Sequence, residues 1–268
     1  MSLSIQGKTA IVTGAGRGIG LAIASHFVER GANVMFADSD EALLEAELGD
    51  ALDGDGPVRS FAGDLGEKLA MANLLSATLD AFDRVDILVN AHRLVRASDP
   101  LDTDVNTLDE MLHQNMMAAL RMSQLVARRM IKQSEETPES DETGAIVNIS
   151  TLAGTRPVPQ LLGYSIACAA LDQATRGLAL ALAPHRIRVN GVSFSSVMSH
   201  ELKLALREDS SLRDRIIAGT PLGRIAASDE LAETVHYLAS SAARFVTGQI
   251  VAVDGGRSLA DPVTAAML

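Results

Sequence analysis

The sequence predicts an α/β fold in which a doubly wound parallel sheet carries helices on both faces. Short apolar runs rich in β-branched residues alternate along the chain with longer stretches of helical spacing. The runs are continuously apolar, which is typical of strands buried on both faces, and strands that alternate with helices indicate a parallel sheet. The strand-sized runs are Thr9–Thr13, Asn33–Ala37, Val85–Val89, Ala145–Ile149, Ile187–Val192 and Gln249–Val253. The helical stretches are Ile19–Arg30, Glu41–Leu48, Lys68–Phe82, Val105–Ile131, Leu161–Ala183 and Asp229–Leu238. No repeat or linker divides the 268 residues, so residues 1–268 are expected to form a single domain.

Composition and charge argue against several classes of protein. The formal net charge of -11 opposes binding to a polyanion, so a nucleic-acid partner is not expected. The single cysteine, Cys168, argues against a disulfide framework and a thiolate metal site. The six histidines show no metal-ligand spacing, so no metal is expected either. The sequence has no uncharged apolar window of membrane-spanning length and no leader pattern, which predicts a cytoplasmic protein without a membrane partner.

A glycine-rich segment links the first predicted strand to the first predicted helix. It reads Thr13-Gly14-Ala15-Gly16-Arg17-Gly18-Ile19-Gly20. Glycines at such a point let the backbone turn tightly and approach a pyrophosphate, whose charge is stabilised by the free N–H groups of the helix. The segment therefore predicts a Rossmann-like dinucleotide site, and its candidate residues are Gly14, Arg17, Gly18, Ile19 and Gly20.

The acidic residue after the second predicted strand bears on which dinucleotide is bound. Asp38 stands eighteen residues beyond Gly20. A carboxylate there accepts a hydrogen bond from a ribose 2′-OH and repels a 2′-phosphate, which favours NAD over NADP. Arg17 argues the other way, because a guanidinium near that edge can hold the phosphate. NAD is the expected cofactor, and NADP is the alternative.

The sequence resembles the short-chain dehydrogenase/reductase family from Gly7 to Gly256. The matching positions are Thr13, Gly14, Gly18 and Gly20, Asp64-Leu65, Asn115, Arg188-Val189-Asn190, 245–249 and 253–256. The resemblance implies hydride transfer between nicotinamide C4 and the carbon of a small carbonyl or alcohol substrate. It also implies a homo-oligomer, either a tetramer or a dimer, and a substrate-side lid near residues 195–220.

The same resemblance implies roles for individual residues. Tyr164 stands in the place of the acid/base, and Thr151, thirteen residues earlier, in that of the hydroxyl residue that holds the substrate oxygen. Asn115 stands in the place of the family's structural and proton-relay asparagine. The further cofactor-binding positions that it implies are Asp64, Leu65, Asn90, Val197 and Ser199.

Three positions depart from the family pattern. Cys168 replaces the lysine that lies one helical turn after Tyr164. Without a cation, a phenol with a pKa near 10 is roughly 0.1% ionised at pH 7, which handicaps alcohol oxidation more than carbonyl reduction. A small buried filler is the expected role of Cys168. Arg93 replaces a glycine and either intrudes on the cofactor or reaches outward to a phosphate, and Phe194-Ser195 replaces the Pro-Gly turn beside the nicotinamide.

Two functional hypotheses result from these observations. The first is an NAD(P)-dependent oxidoreductase that reduces a small ketone or aldehyde with impaired efficiency. The second is a catalytically silent dinucleotide-binding or scaffolding subunit, which the departures at Cys168, Arg93 and Phe194 suggest. Binding of a nicotinamide coenzyme is expected from both, and turnover separates them.

Overall fold

A seven-stranded parallel sheet forms the centre of the protein. The computed structural model describes residues 3–52, 56–102, 107–136 and 142–260. The strands are β1 (Thr9–Thr13), β2 (Asn33–Asp38), β3 (Val58–Ala62), β4 (Ile87–Asn90), β5 (Gly144–Thr151), β6 (Ile187–Phe194) and β7 (Ile250–Val253). Their order in the sheet is β3-β2-β1-β4-β5-β6-β7. The order reverses between β1 and β4, and doubly wound sheets bind ligands at such a reversal, outside the carboxyl ends of the strands.

Helices cover both faces of this sheet, which confirms the predicted fold class. They are α1 (Gly18–Glu29), α2 (Glu41–Leu48), α3 (Lys68–Phe82), α4 (Thr107–Met111), α5 (Ala118–Glu136), α6 (Leu162–Leu182), α7 (His200–Glu208), α8 (Leu212–Ala218) and α9 (Ser228–Ala239). Alternate side chains of one strand enter different cores, so that Val12 packs with α1 and α9 while Ile11 packs with α3 and α5. Both faces are therefore apolar, as the continuous runs predicted.

The structure differs from the predicted elements at two places. The pattern of apolar runs omitted β3, because Arg59 and Ser60 interrupt this strand at one edge of the sheet, where Val58 is buried and the other four residues are partly or fully exposed. The helix predicted over Val105–Ile131 is broken by a π-helical turn at Leu112–Met117, between α4 and α5. The predicted start of that helix, Val105, lies outside the described residues.

One helical stretch, Pro159–His185, is long and apolar enough to cross a membrane by length and composition alone. In the fold it contains α6, whose inner face packs beside the sheet. Asp172 on that face accepts a hydrogen bond from the Ser150 hydroxyl of β5 at 2.6 Å. Packing in the helix layer accounts for the apolar residues on the inner face of α6, whereas Leu162, Ile166 and Leu180 are exposed.

Candidate active site

A cavity of about 330 Å³ lies at the carboxyl ends of β1, β2 and β4. It contains eight of the predicted cofactor residues, which are Gly14, Arg17, Gly18, Ile19, Gly20, Asp38, Asp64 and Leu65. They come from three separate parts of the chain, and the topology brings them to the point where the strand order reverses. We call this cavity the nucleotide groove.

The glycines of the nucleotide groove allow close backbone packing. Gly14 and Gly18 have φ angles of 66° and 60°, a region that favours glycine. A Cβ on Gly14 would lie 2.7 Å from the His92 Cα, and one on Gly20 would lie 2.0 Å from the Gly14 oxygen. Arg17 precedes α1 without a side-chain cap on the first N–H groups of the helix. These groups and the absent side chains fit a pyrophosphate.

Replacing Gly20 with Ala is expected to lower the free energy of unfolding by about 1–3 kcal/mol, because the new methyl group meets backbone that cannot move aside. Gly177→Ala is the matched control, since Gly177 lies exposed in α6 with no atom near its Cβ position. That control is expected to stabilise the protein by about 0.5–1 kcal/mol. Urea denaturation measures both, and equal effects would contradict this explanation of Gly20.

Two carboxylates lie in the nucleotide groove at the ends of neighbouring strands. Asp38 accepts hydrogen bonds from the backbone N–H groups of Gly16 at 2.9 Å and Asp40 at 3.2 Å. Asp64 accepts from the Gly66 N–H at 2.8 Å and the Gln114 amide at 3.3 Å. Each carboxylate is held in place by backbone donors, and each oxygen has lone pairs left for a further donor.

Thr151, Tyr164 and Cys168 come together at the carboxyl end of β5. Thr151 ends this strand, and the other two residues lie one turn apart on α6. The Thr151 Oγ1 lies 3.5 Å from the Cys168 Sγ. Both groups influence the pKa of the Tyr164 phenol. We call these residues the catalytic trio, after the roles that the family resemblance predicts for their positions. Tyr164 is only 5% exposed.

Burial controls protonation in the catalytic trio. It raises the pKa of the Tyr164 phenol well above its usual value of 10.0, and neighbouring Cys168 adds to the rise. Burial also raises the pKa of the Cys168 thiol. Both groups are therefore neutral near pH 7. Arg93 acts in the opposite direction, because its positive charge lowers the pKa of Tyr164.

Asn115 lies in the π-helical turn beside the catalytic trio. Its side-chain amide donates to the carbonyl oxygens of Leu94 at 2.9 Å and Met111 at 3.0 Å. Its Oδ1 accepts from the Leu94 N–H at 2.7 Å. Asn115 thus fixes the chain that follows β4, next to Arg93. Single π-helical turns inside α-helices occur frequently at functional sites.

Three further predicted cofactor residues lie outside the lining of the nucleotide groove as the structure describes it. The Asn90 amide donates to Ser123 and Asn148, on the side of the sheet where α5 packs. The Ser199 hydroxyl accepts from the Leu202 N–H at 3.2 Å and caps α7. Val197 is buried, and it pairs with Ala226 in an isolated bridge. Their contacts with a cofactor remain predictions.

Arg93 and Phe194, two departures from the family pattern, contact each other. The Arg93 guanidinium carbon lies 5.0 Å from the centre of the Phe194 ring. The same guanidinium forms an ion pair with Glu201 of α7. Burial opposes ionisation of Glu201, but the charge of Arg93 together with hydrogen bonds from Arg93, the Glu201 backbone and Ser199 outweighs it, so the pKa of Glu201 falls below its usual value. Arg93 thus connects the loop after β4 to α7 over the nucleotide groove. Arg93 and Glu201 both line this groove.

Sequence reasoning did not assign Glu201 or Gln114 to the groove. Gln114 directly precedes Asn115 and Glu201 lies two residues after Ser199, so proximity in sequence to predicted site residues is the signal that could have pointed to them. His92 also lines the groove. Its Nε2 donates to the Gln114 carbonyl at 3.0 Å and its Nδ1 accepts from the Thr13 hydroxyl at 2.7 Å. Burial lowers the pKa of His92, so it is a neutral, hydrogen-bonded residue.

Known proteins match nearly the whole chain. The family model described as Enoyl-(Acyl carrier protein) reductase matches residues 14–258. Galactitol 2-dehydrogenase (L-tagatose-forming) of Cereibacter sphaeroides is 34% identical over 257 residues, which cover 94% of this chain and 95% of that protein. Dehydrogenase/reductase SDR family member 4 of Caenorhabditis elegans is 30% identical, with 94% and 95% covered.

A solved structure agrees with these sequence matches. The gluconate 5-dehydrogenase of Burkholderia cenocepacia J2315, in complex with NADP and tartrate, superposes with a TM-score of 0.85. It is 28% identical, and the match covers 97% of this chain and 98% of that one. The fold, the glycine-rich groove and these matches lead to one conclusion: the chain belongs to the short-chain dehydrogenase/reductase family of oxidoreductases.

Proposed function

We propose that this protein reduces a small ketone or aldehyde with a nicotinamide coenzyme, by hydride transfer next to the catalytic trio. The single observation that carries the proposal is the meeting of Thr151, Tyr164 and Cys168 at the carboxyl end of the sheet that holds the nucleotide groove. The family membership supports an NAD(P)-dependent oxidoreductase, and the neutral phenol favours the direction of reduction.

The nicotinamide, when bound, supplies the hydride that reaches the carbonyl carbon. Tyr164 is neutral and donates its phenolic proton to the carbonyl oxygen. The Thr151 hydroxyl donates a hydrogen bond to the same oxygen and holds it in place. Burial of Tyr164 keeps water away from this proton transfer. Asn115 acts indirectly, by holding the loop that contains Arg93.

The loss of a lysine at position 168 is offset in part by Arg93. Cys168 is buried and neutral, so it contributes packing rather than charge. Arg93 is a cation whose field reaches the phenol, and Glu201 fixes its position. The guanidinium does not restore the usual acidity, because the pKa of Tyr164 remains raised. Alcohol oxidation at neutral pH is therefore slower than carbonyl reduction.

We infer that residues 195–220, which include α7 and α8, form a lid over the substrate side of the site. A Cβ on Gly18 would lie 3.3 Å from the His200 backbone nitrogen, so the start of α7 packs directly on the glycine-rich turn. The Arg93–Glu201 ion pair joins this lid to the loop after β4. We also propose that the protein assembles into a homo-oligomer, that it lies in the cytoplasm, and that residues 1–268 form a single domain.

We propose NAD as the coenzyme because of the Asp38 carboxylate, with NADP as the alternative that Arg17 in the same groove favours. The Asp38 carboxylate repels a 2′-phosphate and can accept a bond from a 2′-OH. Replacing Asp38 with Asn is expected to improve the affinity for NADPH relative to NADH by about 10–100-fold, since hydrogen bonds to charged groups contribute about 1.5–3 kcal/mol. Fluorescence titration with both coenzymes measures the ratio.

Asp40→Asn is the matched control for this change in charge. Asp40 lies two residues away and caps α2 by accepting from the Leu43 N–H at 3.1 Å, a role that Asn also fills. The control is expected to leave the ratio of affinities unchanged. If Asp38→Asn and the control have the same affinity for NADPH relative to NADH, Asp38 does not determine the coenzyme preference.

Coenzyme titration followed by turnover assays tests the proposed function. The substrate panel contains simple ketones and aldehydes together with keto sugars and keto acids, because relatives are named for galactitol and gluconate. Saturable binding with NAD(P)H oxidation on at least one carbonyl is the expected result. Binding without turnover across the panel would favour the silent subunit, and no binding of either coenzyme would overturn both hypotheses.

A further inference from the structure

Two histidines and one glutamate meet where the C-terminal halves of α1 and α9 pack together. His26 belongs to α1, and Glu233 and His236 lie three residues apart on α9. The His26 Nε2 lies 3.1 Å from the His236 Nδ1, and the Glu233 Oε2 lies 3.8 Å from the first atom and 4.0 Å from the second. Both histidines are buried, while the Glu233 side chain is 57% exposed. We call these residues the histidine–glutamate cluster.

Hydrogen bonding determines which nitrogen of His236 carries a proton. Its Nε2 lies 2.6 Å from the carbonyl oxygen of Leu3. A carbonyl oxygen only accepts, so Nε2 donates and Nδ1 of the neutral ring keeps its lone pair. This lone pair is on the nitrogen that lies beside His26. A backbone carbonyl that accepts from the outer nitrogen is the usual support of a metal-bound imidazole.

Glu233 is supported in a comparable way. The Arg30 guanidinium donates to the Glu233 Oε1 at 2.9 Å, while Oε2 is the oxygen nearer the two imidazoles. Ligating carboxylates in proteins are commonly held by such outer hydrogen bonds. Two imidazole nitrogens and one carboxylate oxygen form a ligand set that is used for zinc in proteins.

The distances in the cluster suit a tetrahedral ion. With zinc–nitrogen bonds of about 2.0–2.1 Å, neighbouring ligand atoms of a tetrahedron are roughly 3.3 Å apart. The two imidazole nitrogens already lie at 3.1 Å, and the exposed Glu233 side chain has room to approach them. We propose that the histidine–glutamate cluster binds one Zn²⁺ through His26 Nε2, His236 Nδ1 and Glu233 Oε2, with water as the fourth ligand.

The proposed ion joins parts of the chain that are far apart in sequence. It links α1 to α9, and through the Leu3 carbonyl it also fixes the segment before β1. His26 lies eight residues beyond Gly18, or about 12 Å along the axis of α1, toward the end of the helix opposite the glycine-rich turn. The proposal is therefore independent of the proposed function, and the ion is expected to stabilise the fold rather than to take part in hydride transfer.

A direct hydrogen bond from the His26 Nε2–H to the His236 Nδ1 would produce the same 3.1 Å contact without a metal. The two explanations make different predictions for metal titration. A hydrogen-bonded pair gives no stoichiometric binding of added metal, whereas the proposed site binds one ion per chain and gains stability from it.

Titration of the full chain with Zn²⁺ and Co²⁺, after removal of metal by EDTA and dialysis, tests the proposal. We expect calorimetry to show one Zn²⁺ per chain, and Co²⁺ to give the visible absorption of a tetrahedral site. Zn²⁺ is also expected to raise the midpoint of thermal unfolding. His26→Gln and His236→Gln are expected to abolish stoichiometric binding, and Glu233→Gln to weaken it at least about tenfold.

His185→Gln is the matched control, because His185 is exposed and lies outside the cluster. It is expected to leave zinc affinity and the cobalt spectrum unchanged. Circular dichroism verifies that each variant folds. If a histidine variant fails to fold, Glu233→Gln decides the test, because the Glu233 side chain is exposed and its replacement leaves the core intact. Absence of stoichiometric binding to the parent protein, or unchanged affinity in Glu233→Gln, would overturn the proposal.

Discussion

Replacing Tyr164 with Phe is expected to lower the turnover of carbonyl reduction by about 10²–10⁴-fold, the usual contribution of a positioned acid. The substitution removes the phenolic hydroxyl and keeps the ring, so the packing of α6 is retained. Coenzyme affinity is expected to change little, since Tyr164 lies outside the described lining of the nucleotide groove. Steady-state kinetics and coenzyme titration on the same samples measure the two effects separately.

Tyr237→Phe is the control for this substitution. Tyr237, the second of the two tyrosines, lies on α9 and is 39% exposed. Its loss of a hydroxyl is expected to leave turnover unchanged. Turnover by Tyr164→Phe within about threefold of the parent enzyme would exclude Tyr164 as the proton donor, because such a loss is far below that of a positioned acid.

Replacing Cys168 with Lys is expected to raise the rate of alcohol oxidation at pH 7 by about tenfold or more. A cation one helical turn from Tyr164 favours the phenolate, which lowers the pKa of Tyr164. In the present protein, burial raises that pKa and neighbouring Cys168 adds to the rise, so the oxidation rate is expected to climb as the pH rises through the alkaline range. The lysine variant is expected to reach its maximal rate at a lower pH.

Cys168→Met controls for the size of the new side chain in this buried position. Methionine is about as long as the aliphatic part of lysine but carries no charge, so it is expected to leave the pH profile of oxidation in place. Rates from pH 6 to 11 for the three proteins measure the shift. An identical profile for the lysine variant and the parent, with both folded, would show that charge at position 168 does not control Tyr164.

Local patterns in the sequence were sufficient to predict most of the sheet. Strands buried on both faces produce apolar runs, and six of the seven strands were predicted from such runs, although β6 also contains the buried polar residues Arg188 and Asn190. The exception, β3, lies at one edge of the sheet, and Arg59 and Ser60 break its apolar run. The other edge strand, β7, is also partly exposed, but Ile250–Val253 are all apolar, so the run of apolar residues still marked it.

The groove was predictable for a similar reason, because its glycines and Asp38 lie at the ends of predicted strands that the topology brings together. Asp64 follows β3, which the pattern omitted, and its place in the groove was predicted from the family resemblance alone. The contact of Arg93 with Phe194 and Glu201 was not predictable, since it depends on how three loops fold over the strand ends. The histidine–glutamate cluster shows the same limit. His26 and His236 are 210 residues apart and meet only because α1 and α9 pack on the same face of the sheet.

A crystal structure of the protein with NAD⁺ bound tests most directly whether the nicotinamide lies beside the Tyr164 phenol. We expect the pyrophosphate at the start of α1, the adenosine ribose at Asp38 and the nicotinamide ring against the catalytic trio. Arg93 still stacked on Phe194, with the nicotinamide ring held outside and away from Tyr164, would contradict this expectation.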